Sequence, residues 1–76
     1  MMREYVLDKK IDEKVKESIL EEARALDKIE NVEVTDDRKH IVVGAQDEDY
    51  PAIVTRILNI YCKYSKGNHM SFTRFV

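Results

Sequence analysis

Residues 32–45, "VEVTDDRKHIVVGA", decide the architecture. Val32 and Val34 alternate with Glu33 and Thr35, the period-two pattern of a strand with one buried face. "DDRK" at 36–39 is turn chemistry, because Asp side chains bond readily to nearby backbone, and "HIVVGA" at 40–45 is rich in β-branched residues. The segment reads as an antiparallel hairpin in the middle of the chain, so the elements flanking it fix the topology.

Upstream of the hairpin, apolar residues recur at Val15, Ile19, Ala23, Leu26 and Ile29, with Leu20 widening the stripe. Lys14, Lys16, Glu17, Glu21, Glu22 and Arg24 fall on the opposite side. This predicts an amphipathic helix over about residues 13–29, capped by Asp12, with Glu13 at its positive end and a stop at Glu30 and Asn31. Downstream, Asp49 and Pro51 mark the start of a second helix, since proline in the first turn gives up no hydrogen bond. Ile53, Ile57, Ile60 or Tyr61, and Tyr64 form one stripe, and Val54, Leu58 and Cys62 a neighbouring one. So wide an apolar face predicts a well-buried helix with Cys62 in the core. Gly67 reads as the left-handed residue just past its end, with Lys63 and Lys66 against the negative end of its dipole. Short strands, "REYVLD" at 3–8 and "MSFTRF" at 70–75, close the pattern at either end.

The order is β-α-β-β-α-β. Right-handed crossovers of the two halves fold it into a four-stranded antiparallel sheet with two helices on one face. This is the α+β, ferredoxin-like split βαβ arrangement, with expected strand order 4-1-3-2 and residues 1–76 as one domain.

Composition narrows the function classes. The chain has 76 residues, 43% apolar and 37% charged, with a net charge of -2, which supports a folded core and argues against disorder. No apolar run reaches membrane-spanning length, and "MMREYVLDKK" lacks the apolar centre of a signal peptide. The expectation is a cytoplasmic protein. Cys62, the single cysteine, excludes an internal disulfide and a four-cysteine zinc site. Charge is unevenly spread: residues 1–50 hold nine Lys/Arg and all fifteen Asp/Glu, whereas residues 51–76 hold four Lys/Arg and no acid.

The order and size resemble heavy-metal-associated domains, whose paired thiolates lie between the first strand and first helix. That junction here is "VLDKKIDEKV", without cysteine, so a relation of this kind implies a degenerate domain lacking the thiolate site. RNA-recognition domains share the order but stack bases on rings of the central strands, and "KHIVVGA" offers no ring besides His40. The clamp of KH domains is absent, because the only glycines are Gly44 and Gly67. Ligand-sensing domains of the ACT type need a glycine-bearing turn where "DKKID" stands. Acylphosphatases hold phosphate there with an arginine loop; Lys9 and Lys10 are cationic but lack the arginine. Cys62 with His69 is the one Cys/His couple, and His40 with His69 needs a further metal ligand from Asp36 or Asp37. Asp47, Glu48 and Asp49 lack the spacing of a calcium loop. No catalytic residue, cofactor or metal site is expected.

The closing segment carries the remaining signal. Strict alternation in the last strand turns Met70, Phe72 and Val76 toward the helices, with Arg74 at the rim, and leaves Ser71, Thr73 and Phe75 on the open sheet face. Phe75, Val42 and Thr73 are then the expected partner-binding residues of a non-catalytic interaction or regulatory module. It would act through its open face or edge strands, on a protein partner or a second copy. The alternative groups Lys63, Lys66, His69 and Arg74 as a basic-aromatic corner for RNA phosphates, against which stands a pI near 5.6.

Overall fold

In a computed structural model, which describes residues 2–67 and 69–76, the strands are β1 (Arg3–Leu7), β2 (Ile29–Val34), β3 (His40–Ala45) and β4 (Met70–Phe75). The helices are α1 (Glu13–Arg24) and α2 (Tyr50–Tyr64), the latter preceded by one 3-10 turn at Asp47–Asp49. The sheet order is β2-β3-β1-β4 with every neighbour antiparallel. This is the predicted ferredoxin-like arrangement. Tyr5, Leu7, Val32, Val34, Ile41 and Val43 are buried on the helix side of the sheet. Ile19 and Ala23 of α1, with Ile53, Ile57 and Tyr61 of α2, complete the core.

Local chemistry sets the element ends. The Val15 amide donates to Asp12 Oδ1 at 2.8 Å, fixing the start of α1. The helix stops at Arg24 rather than near Ile29, and the chain turns through Lys28, a left-handed residue at φ 69°. Leu26 and Ile29 still pack against the core, but from the turn and from β2. One apolar spacing is thus shared by two backbone forms. The register shift between Ile29 and Asn31 lets β2 begin on an apolar residue and still bury Val32 and Val34. In the β2–β3 turn, Arg38 takes φ 56° and its amide donates to the Thr35 carbonyl at 2.9 Å.

Cys62 is exposed, not core. The buried arc of α2 runs through Ile53, Ile57, Ile60 and Tyr61. Cys62 lies five residues beyond Ile57, about 140° around the axis, so its thiol leaves the core face. On the side toward α1, Lys63 bonds both Glu22 carboxylate oxygens at 3.3 Å, and the Tyr64 hydroxyl donates to the same carboxylate.

Three connections meet at one end of the sheet. The Tyr61 hydroxyl donates toward Asp8 Oδ1 (2.8 Å) and the Lys9 carbonyl (3.0 Å), and accepts from the Lys9 amide (3.0 Å). Burial, followed by the hydrogen bond to Asp8, raises its pKa above the usual tyrosine value. Asp8 Oδ1 also accepts from the His69 amide at 3.3 Å, drawing in the loop between α2 and β4. Gly67 is needed here for room and not for a left-handed turn, because no glycine has positive φ. A Cβ at Gly67 would overlap the Tyr61 hydroxyl and Cζ and approach Asp8 Oδ1 to 2.7 Å.

Gly67→Ala should therefore cost about 2–4 kcal/mol, combining overpacking with loss of the hydroxyl's bonds, and exceed the roughly 1–2 kcal/mol expected for Tyr61→Phe. Urea unfolding of both variants measures this. A Gly67→Ala protein as stable as the wild type would show that the loop accommodates the methyl group freely.

Candidate interaction surface

The arrangement of β4 departs from strict alternation. Opposite β1 the partners are Leu7 with Met70, Val6 with Ser71 and Tyr5 with Phe72, and then Glu4 with Arg74 and Arg3 with Phe75. Thr73 is the extra residue of a bulge, which reverses the facing of everything after it. Cross-strand partners share a face, so Phe75 lies with Arg3 on the helix side, beside Phe72, and not on the open face. Arg74 moves the other way, onto the open face, where its Nε lies 3.2 Å from Glu4 Oε2.

Phe72 and Phe75 are nevertheless not core. Their relative exposures are 49% and 52%, and that of Val76 is 46%. Tyr5 meets the edge of Phe72 at 5.9 Å between centroids, and Phe72 meets Phe75 at 5.0 Å with planes inclined at 62°. The guanidinium of Arg3 lies 4.0 Å from the centroid of Tyr50 and 5.6 Å from that of Phe75. Tyr50 is itself fixed, its hydroxyl donating to the Val43 carbonyl at 3.0 Å and accepting from the Ala45 amide at 3.2 Å. Two half-exposed rings therefore stand on a rigid base of Tyr5, Arg3 and Tyr50. On α2, Val54 and Leu58 are partly buried and pack against the core.

The open face is polar. Val42 is flanked by Glu4 on β1 and Glu33 on β2 and is half-buried. Thr73 lines a shallow concavity of about 520 Å³ with Glu4, Arg74, His40 and Asp37. Val42 and Phe75, expected side by side, are thus on opposite faces. Glu4 is only 6% exposed, covered by the Arg74 pair.

The four cations of the expected basic corner are also distributed. Lys63 is held by Glu22 and lies 5.1 Å from the Tyr64 ring centroid, and Arg74 is held by Glu4 on the open face. His69 Nε2 is 2.8 Å from Ser71 Oγ. Lys66 stands apart, sharing a concavity with Lys9 and Lys10. His40 Nδ1 pairs with Asp37 Oδ2 at 3.2 Å, as a turn contact. Among the described residues, no group of three His, Cys, Asp or Glu is placed to hold a metal ion. No helix among them is long and apolar enough to cross a membrane.

Compared with protein-family models, curated proteins and solved structures, the chain shows no match. The surface must be read from its own chemistry. Phe72, expected toward the core, is instead half exposed, and no pattern singles out Arg3. The signal for two rings on one side is the "FTRF" spacing, which period two cannot place so without an inserted residue.

Asp37 offers a test of the polar face. The Thr35 hydroxyl bonds to Asp37 Oδ1 at 2.5 Å and the Lys39 amide donates to the same atom at 3.0 Å. The hydroxyl bond, then the amide bond, lower its pKa to about 2. A depressed carboxylate stabilises the fold above its unfolded pKa, about 4, and that contribution disappears as pH falls through the folded value. Carboxyl NMR should show Asp37 titrating near 2, and Thr35→Ala should move the midpoint upward. An unmoved midpoint would remove the hydroxyl as the main cause.

Proposed function

We propose that this chain is a small, non-catalytic interaction module that acts as a homodimer, formed by antiparallel pairing of β4 with β4 of a second copy. The reading rests on one observation: two half-exposed rings, Phe72 and Phe75, stand on one face of an edge strand. An edge strand presents unpaired backbone donors and acceptors, and strand addition uses them. Rings backed by arginine and tyrosine are the usual energetic anchors of protein interfaces.

The self-complementarity lies in "FTRF". A two-fold axis through the Thr73–Arg74 link sets Phe72 of one copy opposite Phe75 of the other, and the reverse pair likewise. Because the bulge puts both rings on the helix side, four rings gather on one face of a continuous sheet. Such an isologous contact closes on itself and stops at two copies. The other edge, β2, carries Glu30 and Glu33, whose charges discourage pairing there.

Size-exclusion chromatography with light scattering should give a dimer whose population rises with concentration. Phe75→Glu and Phe72→Glu should each yield a monomer with an unchanged circular dichroism spectrum. A wild-type protein that stays monomeric up to about 0.5 mM, a concentration that exposes even weak contacts, would overturn the reading.

A further inference from the structure

A second surface stands at the opposite end of β1. The loop after β1 and the loop after α2 enclose a concavity of about 330 Å³ whose lining includes Lys9, Lys10 and Lys66. Three lysines from two loops thus line one recess. Among the described residues, Asp12 is the only carboxylate lining it, and its Oδ1 accepts the Val15 amide. Among the described residues, none of the three lysines forms an ion pair. The nearby Lys63 is paired with Glu22, and Asp8 with the Tyr61 hydroxyl. Three lysines against the one carboxylate of Asp12 leave the described lining with a net positive charge.

We propose that this recess binds a small multivalent phosphate anion of pyrophosphate or triphosphate size. Lysine suits such a ligand, because its ammonium is a compact charge on a flexible stem that can follow several phosphate oxygens, whereas a planar carboxylate favours the arginine fork. The start of α1 lines the same recess through Asp12 and Val15, its positive end already capped by the Asp12 carboxylate. The negative end of α2 borders the same recess through Tyr64 and Ser65 and offsets part of this charge, so the surplus comes from three lysines set against one helix end and one carboxylate. The loop after β1 is fixed before any ligand arrives. Lys9 is held through its amide and its carbonyl by Tyr61, the Ile11 amide donates to the Arg38 carbonyl at 3.0 Å, and the Gly67 amide donates to Ser65 Oγ at 2.9 Å. A prearranged backbone spares the ligand the cost of ordering it. Ile11 and Val15 give the recess an apolar wall, where charge attraction is less weakened by water.

Titration with inorganic pyrophosphate and tripolyphosphate, followed by amide NMR at low salt, is the test. Saturable shifts should centre on Lys9, Lys10 and Lys66, and raised salt should weaken them. Lys10→Gln combined with Lys66→Gln should weaken binding about tenfold or more, whereas Lys14→Gln, on the exposed side of α1, should leave it unchanged. Folding of each variant is checked by circular dichroism. Absence of saturation by about 10 mM anion would overturn the proposal, as would shifts centred elsewhere. Tighter capture of a single-stranded oligonucleotide through the same three lysines would also overturn it, in favour of a nucleic-acid site. The Phe75→Glu monomer should bind as the wild type does, so this result stands apart from dimerisation.

Discussion

The hydroxyl of Tyr61 is the constraint on which the rest of the structure depends. One oxygen from α2 holds the amide and carbonyl of Lys9 and the carboxylate of Asp8. A buried hydroxyl without partners is costly, so once the ring is in the core its single proton is shared between Asp8 and the Lys9 carbonyl while its oxygen accepts the Lys9 amide. The consequence is geometric. The chain after β1 must leave the sheet where α2 ends, and the loop returning to β4 must pass close enough that only glycine fits at position 67. A small sheet gains a fixed corner without a disulfide or a metal.

From that corner, β4 starts in register, with Met70 buried opposite Leu7. Had strict alternation continued, Phe72 and Arg74 would share the helix side, and Phe75 would stand among Glu4, Val42 and Glu33. The bulge at Thr73 exchanges the two. Arg74 reaches Glu4, which would otherwise be a buried carboxylate without a counter-charge, and Phe75 joins Phe72 over Arg3. One extra residue thus resolves a charge on one face and assembles an apolar surface on the other.

Element types and order were legible because they rest on signals that are local and redundant: the Asp12 cap, the Pro51 start, the β-branched run at 40–45. Strand order followed from handedness alone. The illegible parts share a cause, which is that periodicity records spacing without recording which backbone carries it. Leu26 and Ile29 kept helical spacing after the helix had ended at Arg24. Cys62 shared a stripe with Val54 and Leu58, yet lay beyond the arc that α2 buries. Gly67 stood where a left-handed residue is usual, although its need was space beside a tyrosine fifty-odd residues from Asp8. Val42 and Phe75 were separated by an insertion that no propensity announces.

The same geometry accounts for how two surfaces can work on so small a chain. The rings gather where β4 meets Arg3, at the start of β1, and the lysines gather at Lys9 and Lys10, just past its end. A strand advances about 3.3 Å per residue, so the six residue steps from Arg3 to Lys9 separate them by roughly 20 Å, two Debye lengths at moderate salt. Charge collected at one end therefore neither repels nor attracts a second copy at the other. The separation also explains why the acidic first two-thirds of the chain can surround a cationic recess. Glu22, Glu4 and Asp37 are engaged by Lys63, Arg74 and the Thr35–His40 turn respectively, and so are already occupied within the fold. Among the described cations without an ion pair, Lys9, Lys10 and Lys66 are the three that line one recess.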